Sequence, residues 1–144
     1  MGSNPIPSAI LDFNFYIMSY TFTKIIPGDF DEIIDKVINL ASQEWFWLVS
    51  ELNVQKTVEL KTNYKMNKYI ILWFCNPEYA YKAIELEKNI WTMLPCNILV
   101  FKTDKQIQIS AIDPVSSMMA IENNELKKLA KQVWDKLKNI IDKL

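Results

Sequence analysis

The residues best suited to chemistry lie in one stretch, Tyr69–Val100, which contains both cysteines of the chain. Cys75 follows a run of apolar residues and directly precedes Asn76-Pro77, a pair typical of a helix start. The free amides and the dipole of a helix N-terminus can lower the pKa of a thiol and raise its reactivity. We therefore predict that Cys75 is the more reactive cysteine. The alternative is that Cys75 is a buried, inert side chain behind the helix cap.

A predicted helix separates Cys75 from Cys96, and the sequence leaves open whether the two side chains meet. Two thiolates would supply half of a zinc site, and because the chain has no histidine, only carboxylates or a second subunit could complete it. A soft metal such as Cu(I) accepts two thiolates, so it is the better candidate for a metal at Cys75 and Cys96. A structural disulfide is disfavoured in a reducing cytosol.

Four polar residues join the two cysteines as candidates for a ligand or thiol site: Asn76, Glu51, Lys61 and Asp113. Glu51, Glu78 and Asp113 lie near the ends of predicted elements, where a pair of carboxylates could act in acid–base catalysis. Carboxylates at turns and caps are far more often structural, so we predict no catalytic residue. Lys61 fits either a buried salt bridge or a contact with an anion.

The composition excludes most common catalytic and nucleotide-binding sites. All sixteen basic residues are lysine and none of the 144 residues is histidine. This removes histidine bases and ligands as well as bidentate arginine contacts with phosphate. The only glycines are Gly2 and Gly28, so a P-loop or a G-x-G-x-x-G motif cannot be present. We therefore expect no cofactor.

Charge and hydropathy restrict the partners and the location. The formal net charge of −1 gives no electrostatic reason to expect nucleic-acid binding. No apolar run approaches the roughly 20 residues that a membrane-spanning helix needs. The first residues lack the basic and apolar regions of a signal peptide. We expect a cytoplasmic protein with neither membrane nor nucleic acid among its partners.

Hydrophobic spacing predicts the elements that position the candidate residues. Alternating apolar residues predict strands at 20–26, 46–60, 96–103 and 106–112. A continuous apolar run at 68–75 predicts a central strand covered on both faces. Apolar residues spaced by three and four predict helices at 31–44, 77–89 and from Asn123 or Asn124 to the C-terminus. The order β-α-β-β-α-β-β-α predicts a two-layer α+β domain, with a largely antiparallel sheet and helices packed on one face.

The chain is predicted to form a single domain over 18–144, preceded by an N-terminal extension at 1–17. The last predicted helix has a heptad-like apolar seam at Leu126, Ala130, Val133, Leu137, Ile140 and Leu144. Leu129, Trp134 and Ile141 widen this stripe beyond what one contact with a sheet needs. We therefore predict a homodimer, buried partly by this helix and partly by an edge strand.

Several short motifs resemble the domain of unknown function 302 family, a group of small bacterial and archaeal proteins. Across about 20–144 they are Phe46 and Glu51, Lys61, Cys75-Asn76-Pro77 with Ala80, Leu94-Pro95-Cys96-Asn97, and Asp113-Pro114. The resemblance implies a small dimeric α+β fold with no settled activity. Where the family pattern tends to have glycine, this chain has Trp45, Trp73 and Trp91. If those glycines leave room for a ligand, the three indoles fill or line that room here.

Two hypotheses of function follow. The first is a small homodimeric binding or interaction module without catalysis, which could also bind a small ligand of unknown identity. The second is a thiol protein that binds a soft metal or carries redox or sulfur chemistry through Cys75 and Cys96. The first is preferred because groups suited to catalysis are so sparse.

Overall fold

The computed structural model of the protein describes residues 19–93 and 96–144, so the predicted extension at 1–17 lies outside the described residues. The strands are β1 (Thr21–Ile26), β2 (Trp47–Asn53), β3 (Tyr69–Cys75), β4 (Cys96–Lys102) and β5 (Ile107–Ile112). The helices are α1 (Phe30–Gln43), α2 (Val54–Lys61), α3 (Pro77–Leu86), α4 (Pro114–Ser117) and α5 (Asn124–Asp142). A 3-10 helix, Lys88–Met93, lies between α3 and β4.

The strands form one antiparallel sheet in the order β1-β5-β4-β3-β2, with β1 and β2 at its edges. Helices α1 and α5 pack on one face, where Val37 and Leu137 meet Leu72, Ile98 and Ile109 of the three inner strands. The buried apolar strand residues all belong to this face, because they alternate along each strand and lie opposite one another in the register. The predicted α+β class with a largely antiparallel sheet is confirmed.

The other face of the sheet is divided into an apolar and a polar half. The apolar half consists of partly exposed side chains from β2, β3 and β4, and we call it the apolar half-face: Leu52, Tyr69, Ile71, Trp73, Leu99 and Phe101. On β5 and β1 the rows through Phe101 and Leu99 continue with the polar Gln108, Ser110 and Thr23, and with Ile25, which is exposed opposite Gln108. Ser110 Oγ lies 2.9 Å from Thr23 Oγ1 and accepts a hydrogen bond from Gln108 Nε2 at 3.2 Å. Strand β3 was predicted to be covered on both faces, but the described chain buries only one of them.

Residues 54–61 form helix α2, where alternating residues predicted the second part of a strand. Asn53 ends β2 and caps the helix, because its side-chain oxygen accepts the N–H of Lys56 at 2.9 Å. No residue of α2 is buried, so the core does not impose helical spacing on its apolar side chains. The alternation of apolar residues that predicted a strand here therefore does not reflect packing against the core.

Helix α1 ends in a Schellman motif with tryptophan at the left-handed position. The N–H of Phe46 donates to the carbonyl of Ala41 at 3.0 Å, and the N–H of Trp45 donates to that of Ser42 at 3.1 Å. Trp45 has a φ of 64° and its side chain is 66% exposed. Glycine is preferred at this position, since a Cβ in the left-handed region costs about 1–2 kcal/mol.

We expect Trp45→Gly to raise the free energy of unfolding by roughly 0.5–1 kcal/mol, because it relieves this strain. Urea unfolding measures the change. The matched control is Trp47→Gly, which removes the same contact between the two indoles from a position in β2, where glycine is unfavourable. Trp47→Gly should be less stable than the wild type, and a Trp45→Gly variant no more stable than the wild type would contradict the interpretation.

The apolar stripe of α5 packs against other elements of the same chain. Leu129 and Ile141 are buried, and Trp134 packs edge-on against Phe22 of β1 with ring centroids 5.2 Å apart. Lys131, in the same helix, places its Nζ over the Trp134 ring, 3.8 Å from the ring centroid. These contacts within the chain account for the widened stripe, so the stripe gives no reason to expect this helix in a dimer contact. None of the helices in the described residues has the length and apolar character needed to cross a membrane.

Candidate functional site

Cys75 and Cys96 lie at the same end of the sheet, on neighbouring strands. Phe74 of β3 is opposite Cys96 of β4, so Cys75 is one position beyond the residue that faces Cys96. Both cysteines are free thiols and both line one cavity at the strand ends. Residues one apart in a strand start toward opposite faces, so the two are not a facing pair of the kind that forms a cross-strand disulfide easily.

The cavity beside the cysteines is apolar and nearly filled. Its other lining residues include Phe46, Phe74, Tyr79, Trp91, Met118 and Leu129. The open volume is about 30 Å³, enough for a water or two but not for an organic ligand. Trp73 and Trp91 pack together with ring centroids 6.2 Å apart. Trp91 thus helps to fill the space that a glycine would leave open.

Burial raises the pKa values of both thiols. Burial, with a smaller contribution from the charge of Cys75, raises the pKa of Cys96 to about 12. Burial also raises the pKa of Cys75. This direction is opposite to the effect expected of a helix N-terminus, where Asn76 Oδ1 already accepts the N–H of Tyr79 at 3.3 Å. Both thiols are therefore protonated at neutral pH, which disfavours nucleophilic attack.

We expect both cysteines to be alkylated slowly at pH 7, with Cys75 reacting faster than Cys96. Because a raised pKa keeps the thiol protonated, the rate should rise as the pH increases beyond the ordinary thiol pKa, and for Cys96 only toward about pH 12. Alkylation of Cys96→Ser and Cys75→Ser across pH, with N-acetylcysteine as the reference thiol, measures each cysteine separately. Equal rates in the two variants, or a rate at pH 7 equal to the reference, would contradict this prediction.

The other predicted site residues are only partly brought together. Asn76 is buried, caps α3 and lines the cysteine cavity. Asp113 caps α4, with its side-chain oxygen accepting backbone N–H groups at 2.9 and 3.1 Å, and it follows Ile112 at the rim of that cavity. Glu51 is exposed opposite Leu72, and Lys61 is exposed at the end of α2. Neither Glu51 nor Lys61 lines the cavity.

The carboxylates near this end of the sheet already have partners. Glu78 forms a salt bridge with Lys82 at 2.7 Å, and the hydrogen bond and charge of Lys82 lower the pKa of Glu78. The side chain of Asp113 is occupied as a helix cap. Within residues 19–93 and 96–144, no three His, Cys, Asp or Glu side chains are grouped closely enough to hold a metal ion. A metal at Cys75 and Cys96 would therefore have two thiolate ligands.

Sequence reasoning missed an open cleft beside the N-terminus of α3, which we call the tryptophan cleft. It has a volume of about 390 Å³ and is lined by Trp45, Trp47, Asn76, Pro77, Glu78, Tyr79 and Lys136. The rings of Trp45 and Trp47 are perpendicular, at 88°, with centroids 6.2 Å apart. The signal available in the sequence was the Trp-Phe-Trp run, in which the middle residue alone enters the core.

Comparisons with known proteins identify the family of the chain and a solved structure with the same fold. The family described as "Domain of unknown function DUF302" matches residues 22–144. A crystal structure of an uncharacterized conserved DUF302 protein from Bacillus stearothermophilus is similar, with a TM-score of 0.79 at 20% sequence identity. The similarity covers 85% of this chain and 96% of that one. No curated protein matches the chain.

Proposed function

The chain belongs to the DUF302 family, and we propose that it is a homodimeric binding or interaction module without catalysis of its own. The observation that carries this proposal is the apolar half-face. Strand β3 reads as a continuous apolar run, a pattern typical of strands covered on both faces, yet only one of its faces is buried in the described chain. A second copy of the chain would cover the other face.

The size of the surface indicates how the two copies would meet. Three strands spaced about 4.8 Å apart and about 20 Å long offer roughly 290 Å² of flat area, less than the roughly 800 Å² per partner of a standard interface. The contact must therefore extend onto neighbouring apolar residues. It can do so around the edge of the sheet at β2, where Leu48 and Val49 are exposed outside the apolar half-face.

The local chemistry supports a role without catalysis. The pKa values of both thiols are raised, so neither is a ready nucleophile at neutral pH. Glu78 and Asp113 are held by a salt bridge and by capping hydrogen bonds. These arrangements stabilise helix ends and leave little for acid–base work. In the cytoplasm, where we place the protein, its two free thiols would stay reduced.

Light scattering and sedimentation equilibrium test the dimer. We expect the wild type to be dimeric at tens of micromolar, and hydrogen exchange at β2 and β3 to slow as the protein concentration rises. A mass that remains monomeric up to high micromolar concentration would refute the homodimer. A dimer whose concentration-dependent protection maps to other elements would refute the proposed surface.

The shared cavity favours one alternative, a thiol protein that binds a soft metal at Cys75 and Cys96 or carries redox or sulfur chemistry there. The cavity volume of about 30 Å³ suits a single ion better than an organic molecule. Cu(I) titration in competition with a chelator tests it, with the double variant Cys75→Ser/Cys96→Ser as the control. Equal Cu(I) affinity in the wild type and the control would dismiss the metal-binding role.

A further inference from the structure

We propose that the tryptophan cleft binds a neutral sugar ring. The cleft lies at the junction of α1, β2 and α3 and is separate from the apolar half-face. Its volume of about 390 Å³ falls in the lower part of the range of about 300–1,000 Å³ that is usual for ligand pockets. This size suits one or two sugar rings rather than a long chain.

The aromatic walls present flat apolar surfaces to solvent. Trp45 is 66% and Trp47 is 48% exposed, and their rings stand perpendicular to each other. Tyr79 also lines the cleft and packs at the same time against the core, so it forms the inner boundary of the cleft. The C–H face of a pyranose ring packs on the negative face of an indole, since aliphatic C–H groups carry a small positive charge.

The charged groups around the cleft are balanced, which points to an uncharged ligand. Glu78 is paired with Lys82 at 2.7 Å, and Lys136 is paired with Glu44 at 3.4 Å. A cation or an anion in the cleft would meet groups of both signs and would gain little net attraction. Hydroxyl groups, in contrast, can accept from Lys136 and donate to Glu78 without disturbing either pair.

The backbone conformation at Trp45 gives an independent reason to expect a ligand in the cleft. The indole lies outside the core, on a residue held in the left-handed region at a position where glycine would be less strained. Packing within the chain does not account for it, because its aromatic contact is with Trp47, which is itself exposed. A ligand that uses the indole would account for both the strain and the exposure.

Saturation-transfer NMR with methyl β-glucoside, N-acetylglucosamine and cellobiose tests the proposal. We expect millimolar binding of at least one probe, with saturation concentrated on the ring C–H protons of one face. Trp45→Gly should weaken binding roughly tenfold or more. Because this variant is expected to be more stable than the wild type, the loss could not be ascribed to unfolding. Tyr64→Ala, which removes an exposed aromatic ring outside the cleft, should bind as the wild type does.

Charged and planar probes distinguish other ligands. Glu78→Gln keeps a hydrogen-bonding side chain and should change sugar affinity less than threefold. Tetramethylammonium binding that depends on Glu78 would overturn the proposal in favour of a cation cage, and tighter binding of adenosine than of any sugar would overturn it in favour of a nucleobase site. Binding of none of the sugars would also overturn it. None of these results affects the dimer, which is measured without ligand.

Discussion

Replacing Phe46 with alanine is expected to lower the free energy of unfolding by about 3–5 kcal/mol, the range for large aromatic side chains in a core. Phe46 is 1% exposed and belongs to the core between the sheet and helices α1 and α5. It directly follows the left-handed residue at the end of α1, and its N–H bonds to Ala41. The side chain therefore fixes both the core and the path from α1 into β2.

Urea unfolding of Phe46→Ala measures this loss. Leu60→Ala is the matched control, because Leu60 is 72% exposed and its truncation should change stability by no more than about 0.5 kcal/mol. The cysteine cavity, which Phe46 lines, should enlarge in the variant. A loss below about 1 kcal/mol would mean that the surrounding residues collapse into the space, and the assigned role of Phe46 would be wrong.

Leu99→Lys is expected to weaken the homodimer at least about a hundredfold, since a lysine charge within the contact would have to be desolvated. Leu99 lies between Ile71 of β3 and Ser110 of β5, at the inner border of the apolar half-face. Thr23→Lys is the matched control. Thr23 continues the same row on the polar side of the sheet, opposite Ser110.

Sedimentation equilibrium of both variants measures the effect, and thermal unfolding at low concentration checks that each monomer is folded. Thr23→Lys should dimerise as the wild type does. If both variants dimerise equally well, the apolar half-face is not the interface. If both are equally impaired, the contact is centred elsewhere on the sheet.

Most of the fold could be predicted from the sequence because the core imposes its spacing on the elements that it contacts. In α1 the residues Phe30, Ile34, Val37 and Ala41 are buried at the intervals that predicted the helix, whereas Trp45, the last residue of the predicted buried stripe, lies beyond the helix and is exposed. In β3 the apolar run was identified, but a run does not say what covers its second face. Helix α2 was missed because nothing in it is buried. Exposed elements carry little of the pattern on which such predictions depend.

The candidate site was less predictable because it depends on distances between separate elements. The sequence could not decide whether Cys75 and Cys96 meet, since this depends on where the 3-10 segment Lys88–Met93 returns the chain. Burial raises the pKa of Cys75, and the extent of that burial depends on packing between elements that are distant in sequence. The tryptophan cleft arises where a helix C-terminus, an edge strand and a helix N-terminus converge. Its lining residues come from separate stretches of the chain, and neither the Trp-Phe-Trp run nor Asn76-Pro77 alone indicates a cleft.

The strand order has a consequence for folding during synthesis. Strand β1 is made early, yet among the strands of residues 19–93 and 96–144 it pairs only with β5, and the contact between Thr23 and Ser110 spans 87 positions of the chain. Contacts this distant in sequence form late, because closing a long loop costs entropy before the contact contributes. The hairpin of β4 and β5 needs only a short turn, in which the N–H of Thr103 bonds to the carbonyl of Gln106. We therefore expect β1 to be the last strand to gain protection in pulse-labelled hydrogen exchange. Until then the β5 edge stays open, and a nascent chain is most exposed to pairing with the wrong strand at that edge.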